Sequence, residues 1–203
     1  MHPFGYHGYG CINVRVLVIA DSAERAGIVR SGLQLGGHET AEITQPDAPL
    51  PSAIERTRAQ AVVLETDSPK VDLLDRIIDA MGATPLPLVI FAGDASEQTI
   101  SQAVRAGAAA YVVDGLDEAR VPAIFQVALA RFEMLSGLRT ELNAAQQKLA
   151  ERKFVERAKG LLMKARGLSE DEAYHTLRRM AMERNRRMGD VAKSVIEMAE
   201  LLN

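Results

Sequence analysis

Residues 14–21 read VRVLVIAD, a short apolar run rich in β-branched side chains that ends in an acidic residue. Such a run is typical of a strand that is buried on both faces of a parallel sheet. Helical spacing follows at Ala26, Val29 and Leu33, up to a glycine pair at 36–37 that predicts the end of the helix. The stretch therefore predicts a strand followed directly by a helix, the first unit of an α/β fold.

The same alternation continues along the first two thirds of the chain. Further buried strands are predicted at AVVLE (61–65), PLVIFAG (87–93) and AAYVV (109–113). Helical periodicity lies between them in VDLLDRIIDAMG (71–82) and SEQTISQAVRAG (96–107). Strands that alternate with helices of this length predict a flavodoxin-like parallel sheet covered by helices on both faces.

Four residues stand where the predicted strands end, namely Asp21, Glu65, Ala92 and Asp114. In open parallel sheets the working site lies at the carboxyl ends of the strands, so these residues are expected to meet there. Their order and spacing, with local patterns such as RAGAAAYVV (105–113), resemble the receiver domain of bacterial response regulators over residues 14–130.

The resemblance also implies that the phosphorylation site is degenerate. A working receiver holds Mg²⁺ with an acidic pair, accepts phosphate on an aspartate, and places a hydroxyl and a lysine nearby. Here the acidic pair is reduced to Asp21, and Glu65 takes the place of the phosphoacceptor. Ala92 replaces the hydroxyl and Asp114 replaces the lysine. Together these four residues predict a pseudo-receiver domain.

The chemistry of phosphoryl transfer supports this interpretation. The reaction needs a metal and a cation against the charge of the phosphoryl oxygens, and Asp114 supplies the opposite sign. Glu65 is also one methylene longer than aspartate, which displaces the nucleophile. Two interpretations of Glu65 and Asp67 stay open: they cap a strand and solvate a loop, or Glu65 permanently imitates a phosphorylated aspartate.

Residues 131–153 are predicted to form a coiled-coil linker helix. Apolar residues recur there in steps of three and four, as expected for the seam between two helices. The predicted dimerisation residues are Leu135, Leu138, Leu142, Ala145 and Leu149. The alternative is a helix that packs against its own domain.

The last segment, residues 154–203, divides into three helices. The long helix is predicted to end near residue 166, with Gly167 as the stop. Ser169 is a favourable N-cap, and Glu172 three positions later completes a capping box. A third helix is predicted after RNRRMG (184–189), with its apolar face starting at Val191. The segment therefore predicts a small helical domain.

Four stretches of this segment resemble the ANTAR domain, the RNA-binding output module of the AmiR and NasR antitermination regulators. They are AKGLLM (158–163), GLSEDEAY (167–174), LRRMAMERNRRM (177–188) and VAKSVI (191–196). The resemblance implies that the chain binds two small hairpins in a leader mRNA and prevents a terminator from forming.

The stretches VLETDSP (63–69) and YVVDGL (111–116) further resemble the nitrate-assimilation antiterminators of the NasT group. In that group a nitrate-sensor protein of the NasS type holds the antiterminator until the signal arrives. The resemblance implies the same kind of partner. The coiled coil predicts a homodimer when the protein is active, and the degenerate site predicts control without phosphorylation.

Basic side chains of the last segment are the candidates for RNA contact. Residues 151–203 contain 12 basic and 9 acidic residues, whereas the whole chain has a net charge of −3. Cations bind phosphates, and planar or amide groups bind unstacked loop bases. The candidates are Lys159, Lys164, Arg178, Arg179, Arg184, Asn185, Arg186, Arg187 and Lys193. Tyr174 or His175 either stacks on a base or is a half-buried helix residue.

Composition limits the other classes of function. A single cysteine, Cys11, excludes an internal disulfide and fits a reducing cytoplasm. Residues 1–13 are predicted to be a disordered tail rather than a signal peptide, and we expect no run that approaches the length needed to span a membrane. We expect no metal, no cofactor and no catalytic centre.

Two other classes of protein compete with the RNA-binding antiterminator. One is a DNA-binding response regulator that uses its last helices as a helix-turn-helix. The positive charge lies between two helices rather than along one, which disfavours this class. The other is a protein-interaction module that dimerises through its coiled coil. A phosphotransfer-active signalling enzyme is disfavoured by Ala20, Ala92 and Asp114.

Overall fold

The computed structural model describes residues 13–82 and 84–201. The predicted disordered tail, apart from Asn13, lies outside the described residues, as does Cys11. The chain divides into two compact units, Met1–Leu135 and Ser136–Asn203.

The first unit is an α/β domain with five parallel strands. The strands are β1 (Arg15–Ala20), β2 (Glu39–Thr44), β3 (Ala61–Thr66), β4 (Leu88–Ala92) and β5 (Ala110–Val113). They form one sheet in the order β2-β1-β3-β4-β5. The helices between them are α1 (Ala23–Leu35), α2 (Leu50–Thr57), α3 (Val71–Met81) and α4 (Glu97–Arg105). The predicted flavodoxin-like parallel sheet is confirmed.

Each face of this sheet has its own hydrophobic core. Val18 and Phe91 point to one face, where they pack with Val29 and Leu33 of α1. The alternate residues of the strands point to the other face, where the cluster includes residues of α2, α3 and α4. Strands buried on both sides need continuous apolar runs, which is the pattern that β1, β3 and β4 show.

Two elements of this unit were missed in the sequence. β2 lies at the edge of the sheet and reads ETAEIT, with only partly buried or exposed side chains. An edge strand buries less apolar surface, so its sequence has no apolar run. α2 has eight residues, with a proline in its first turn, which is too short for a clear helical period.

A single long helix, α5 (Val121–Arg166), follows the sheet. It contains an 18-residue window with a mean hydropathy of 1.3, so by length and composition alone it could cross a membrane. The expectation that no run approaches this length was therefore wrong. Part of the apolar character has a packing explanation, because Val121, Phe125 and Ala128 are buried against the sheet.

The second unit contains the later turns of α5 with α6 (Glu170–Glu183) and α7 (Met188–Leu201). Val155, Ala158 and Leu162 of α5 form a common core with Leu177 of α6 and Ile196 of α7. This core is small, so the turns and caps between its helices matter for its stability.

The predicted boundaries between these helices are confirmed. α5 ends at Arg166, and Gly167 has a positive φ of 66°, a conformation that favours glycine. The Ser169 hydroxyl accepts a hydrogen bond from the backbone N–H of Glu172. The Glu172 carboxylate in turn accepts from the Ser169 backbone N–H at 2.8 Å, which completes the capping box.

Candidate functional site

The carboxyl ends of the strands meet as predicted. Ala20 pairs with Glu65 across β1 and β3, and Thr66 pairs with Ala92 across β3 and β4. The next residues continue these contacts, since the Asp114 backbone N–H donates to the Ala92 carbonyl at 3.0 Å. Asp21, Glu65, Ala92 and Asp114 therefore lie at one edge of the sheet.

Arg25, in the first turn of α1, supplies the cation of this site. Its Nε lies 2.7 Å from Oε1 of Glu65, and its Nη1 donates a short hydrogen bond to Oδ1 of Asp67. The Glu65 side chain is fully buried, whereas that of Arg25 is 31% exposed. One guanidinium therefore contacts two carboxylates of a receiver-like site.

Glu65 lies in an environment that works against its charge. Burial raises the pKa of its carboxyl above the usual value, Arg25 lowers it, and the carboxylate of Asp21 raises it again. Among the described residues, neither carboxylate oxygen accepts a hydrogen bond of good geometry. The contact with Arg25 is therefore an ion pair that compensates a desolvated charge, and the backbone N–H of Ser22 adds a weaker stabilising contribution.

The other two acidic residues of the site differ, because Asp21 is hydrogen-bonded within the protein and Asp114 is exposed. The Thr66 hydroxyl donates a short hydrogen bond to Oδ2 of Asp21. Asp114 is exposed and has a positive φ of 46°. Beside it lies a pocket of about 240 Å³, which Arg25 and Ala92 also line. Among the described residues, no group of His, Cys, Asp and Glu side chains is arranged to hold a metal ion.

A second polar network, absent from the sequence predictions, lies just after β4. Oδ2 of Asp94 accepts hydrogen bonds from the hydroxyls of Thr99 and Ser68, and Oδ1 accepts from the Ser96 backbone N–H. These bonds, with the Ser96 backbone contact as the largest cause, lower the pKa of the Asp94 carboxyl to about 2. The Tyr111 hydroxyl donates to the backbone carbonyl of Asp94 at 2.8 Å. The network ties the β4–α4 loop to β5.

Arg25 was also missed by the sequence predictions, although one signal was present. A helix N-terminus carries partial positive charge, which disfavours arginine in the first turn. An arginine there, four residues after the acid that ends a predicted strand, indicates a carboxylate partner nearby. The partner itself, Glu65, is forty residues away in the sequence and becomes visible only when β1 and β3 pair.

The second unit presents most of the predicted RNA-contacting residues on its surface. Lys164, Arg178, Arg179, Arg184, Asn185, Arg186, Arg187 and Lys193 are all exposed. Four of them form the turn between α6 and α7. In that turn Asn185 has a φ of 48°, and the Arg186 backbone N–H donates to the Ala181 carbonyl at 3.0 Å. The backbone of the turn is therefore held while its side chains are free to bind.

Lys159 is placed differently. Its side chain is 9% exposed, and its ammonium lies 2.7 Å from Glu170 and 2.9 Å from Glu156. Hydrogen bonds from Lys159 to Glu170 and Glu156 raise the pKa of the lysine. Lys159 therefore joins α5 to the start of α6, and we leave it out of the proposed RNA-binding surface.

The predicted dimerisation residues and the aromatic pair are exposed. Leu138, Leu142 and Leu149 each expose 57% of their surface, and Leu135 and Ala145 are also exposed. Tyr174 is 38% exposed and its ring contacts that of His175 edge to face at 6.0 Å. These side chains have not been used by the core of either unit.

Comparison with known proteins assigns the second unit. Residues 143–196 match the model of the ANTAR domain. The chain thus joins a receiver-like α/β domain to an ANTAR domain. This combination is that of a regulatory protein of the response-regulator type rather than an enzyme.

Two curated relatives are similar to this chain, one over most of its length and the other over less than half. The transcriptional regulatory protein PdtaR of Mycobacterium tuberculosis is 27% identical over 183 residues, which cover 90% of this chain and 89% of the relative. The nitrate regulatory protein of Klebsiella oxytoca is 36% identical over 86 residues, or 42% of this chain and 21% of that protein.

Solved structures agree on the fold of the first unit. The signal receiver domain of a modulated diguanylate cyclase from Desulfovibrio desulfuricans G20 superposes with a TM-score of 0.50 and 13% identity, over 61% of this chain and 98% of that chain. NtrX from Brucella abortus gives a TM-score of 0.51 and 22% identity, over 64% of this chain and 29% of that chain. At such identities the likeness establishes the receiver fold alone.

Proposed function

We propose that this protein binds paired hairpins in a leader mRNA and so prevents a transcription terminator from forming. The observation that carries the proposal is the exposed turn Arg184–Arg187, held between two helices of the ANTAR domain. Three guanidinium groups and one amide project there from a turn whose backbone is hydrogen-bonded. Arginine binds phosphate and stacks on bases, and an amide pairs with base edges, so this set fits the loop of a hairpin.

Control in the proposed mechanism does not pass through phosphorylation. A nucleophile at position 65 would need a free carboxylate, a metal and a cation that is free to meet the phosphoryl group. Here Arg25 is already paired with Glu65 and Asp67. Ala92 offers no hydroxyl, and Asp114 would repel phosphate. The pseudo-receiver therefore serves as a docking domain for a controlling partner.

The proposed targets are nitrate or nitrite assimilation genes, and the proposed location of the protein is the cytoplasm. The proposed partner is a nitrate sensor of the NasS type. The 36% identity to a nitrate regulatory protein over 86 residues supports the nitrate context. The active form in this proposal is a homodimer that pairs through the leucine seam of α5. The exposure of Leu138, Leu142 and Leu149 supports this pairing, since nothing within the unit covers them.

The test is a binding and readthrough experiment with the full-length protein. The probe is an RNA that carries two adjacent hairpins, against a duplex DNA of the same sequence. Arg184→Ala, Asn185→Ala and Arg186→Ala should each weaken hairpin binding, and each arginine removed should lower the slope of affinity against salt by about 1. Arg105→Ala, an exposed arginine in α4, is the charge-matched control.

Two results would overturn the proposal. Equal affinity for the duplex DNA and the hairpin RNA would favour a DNA-binding regulator. Unchanged RNA affinity in all three turn variants would exclude the α6–α7 turn as the binding surface. For the control mechanism, incubation with acetyl phosphate should leave the intact protein unphosphorylated by mass spectrometry. A stable stoichiometric phosphoryl group that disappears in Glu65→Gln or Asp67→Asn would exclude a disabled switch.

A further inference from the structure

We propose that the pocket beside Asp114 binds a free α-amino acid with an aliphatic side chain. The pocket has a volume of about 240 Å³, and its lining includes Arg25, Ile28, Phe91, Ala92, Asp114 and Leu116. This volume is below the range of ~300–1,000 Å³ for drug-sized ligands, so the pocket suits a compound smaller than a nucleotide. All of these residues belong to the first unit, so the ligand is independent of RNA binding by the second unit.

The lining contains one cation and one carboxylate, which come from different elements. Arg25 lies in the first turn of α1, and Asp114 directly follows β5. An α-amino acid carries the complementary pair of charges, because its carboxylate suits a guanidinium and its ammonium suits a carboxylate. The lining therefore matches a zwitterion better than it matches an anion or a cation alone.

Both charged side chains can still bind a ligand. Arg25 contacts Glu65 through Nε and Asp67 through Nη1, so its Nη2 takes part in neither contact. Among the ion pairs formed by described residues, none involves Asp114. A simple anion such as nitrate or phosphate would be repelled by this carboxylate. A zwitterion brings its own ammonium group, which turns the repulsion into an attraction.

The rest of the lining is largely apolar. Phe91 and Ala92 are buried at the end of β4, whereas Ile28 of α1 and Leu116 are half-buried. Ala92 has a single methyl group, so it leaves space that a larger side chain would fill. Burial of apolar surface is favourable, and this surface therefore selects an aliphatic side chain over a polar one.

The backbone around Asp114 is fixed before a ligand arrives. Asp114 has a positive φ of 46°, and its backbone N–H donates to the Ala92 carbonyl at 3.0 Å. A positive φ is uncommon in residues other than glycine, and such residues cluster at ligand-binding sites. At Gly115 an added Cβ atom would lie 2.5 Å from Cγ1 of Val112, so the loop passes as close to β5 as a glycine allows. A loop held in this way loses less entropy on binding.

A ligand in this pocket would act on the segment that leads into α5. The loop after β5 continues to Val121 and Phe125, which pack against the sheet at the start of α5. An amino acid held between Arg25 and Asp114 would tie α1 to this loop. The pseudo-receiver would thus respond to a small molecule in place of a phosphoryl group.

The experiment is a calorimetric titration of the full-length protein, without RNA, with L-leucine and two analogues that each lack one charge. Isoamylamine lacks the carboxylate, and isocaproate lacks the ammonium group. L-leucine should bind with a Kd below about 1 mM, and each analogue should bind at least about 10-fold more weakly. Methyl NMR spectra during the titration should show shifts of Ile28 and Leu116, which line the pocket.

Asp114→Asn is the variant that tests the site. Asparagine has the same size and also tolerates a positive φ, so the variant should keep its fold and its melting temperature. It should bind L-leucine about 10- to 100-fold more weakly, because the ammonium group loses its charged partner. Asp79→Asn, at an exposed position of α3, is the matched control and should bind like the wild type.

Three results would overturn the proposal. The first is that L-leucine, L-isoleucine and L-valine all fail to bind and to shift the methyl signals of Ile28 and Leu116. The second is that isoamylamine binds as tightly as L-leucine, which would indicate a site for cations alone. The third is a folded Asp114→Asn variant with the affinity of the wild type. RNA binding is measured separately, so failure of this site leaves the proposed RNA-binding function untouched.

Discussion

The guanidinium Nε of Arg25 lies 2.7 Å from Oε1 of Glu65, which is a fully buried carboxylate at the carboxyl end of β3. Asp21 and Asp67 add negative charge around it. Arg25 is thus the counter-ion that allows three acidic residues to coexist at one edge of the sheet.

Removing Arg25 should destabilise the first unit. Arg25→Met leaves the buried Glu65 carboxylate without its cation, and we expect a loss of about 3 kcal/mol in the free energy of unfolding, measured by urea titration. The double variant Arg25→Met/Glu65→Leu should recover most of this loss, because it removes the unpaired charge as well. An Arg25→Met protein as stable as the wild type would contradict the assigned role.

The pH dependence of stability should carry the signature of Glu65. Its pKa is raised in the folded state, so the folded protein binds this proton more tightly than the unfolded chain. The contribution of Glu65 to the free energy of unfolding therefore becomes more favourable as pH falls from its folded-state pKa towards 4.5. This gain is lost as pH rises again. Glu65→Gln should gain most relative to wild type at neutral pH, and the gap in unfolding free energy should close near pH 4.5. A gap that is constant between pH 7 and pH 4.5 would show that Glu65 does not titrate in this range.

The capping box of α6 should contribute measurably to the second unit. Ser169→Ala removes the hydroxyl that accepts from Glu172 and leaves a helix N–H without its partner. We expect a loss of about 1 kcal/mol, seen as a lower melting midpoint of the helical signal. Ser101→Ala, at an exposed position inside α4, is the control and should change the midpoint little.

Lys159 should behave as a structural residue. Lys159→Met removes the contacts to Glu156 and Glu170 that hold α5 to the start of α6, so the thermal midpoint should fall. The salt slope of RNA binding should stay as in the wild type, whereas Lys164→Met, at an exposed position of α5, should reduce it. A stable Lys159→Met variant with a reduced salt slope would return Lys159 to the RNA surface.

The leucine seam should control the oligomeric state. Leu142→Lys places a charge at a 57% exposed position, so the protomer should keep its fold and lose its ability to pair. Sedimentation velocity with and without RNA measures the outcome, and the dimer boundary should be absent in the variant. Val104→Lys changes an exposed apolar residue of α4 and is the control. A Leu142→Lys variant that sediments like the wild type would place any dimer contact elsewhere.

Local sequence patterns alone were sufficient for the elements that bury their own apolar side chains. β1, β3 and β4 are continuous apolar runs, and the stop at Gly167 with the capping box at Ser169 depends on residues close together in the chain. A strand buried on both faces needs apolar residues at every position, so it can be recognised as a continuous apolar run. A capping box can also be recognised, because its hydrogen-bonding residues are only three positions apart in the chain.

The tertiary structure decided which charges meet. Arg25 became the counter-ion of Glu65, Lys159 became part of a helix junction, and Glu151 came to lie against Gly189. The weakly patterned β2 was recruited as an edge strand by pairing with β1. These contacts are between residues that are distant in sequence. Such contacts do not produce a periodic pattern of residues along the chain. The sequence does not show whether a lysine or arginine faces water or a buried carboxylate. The packing of helices and strands determines the environment of each basic side chain.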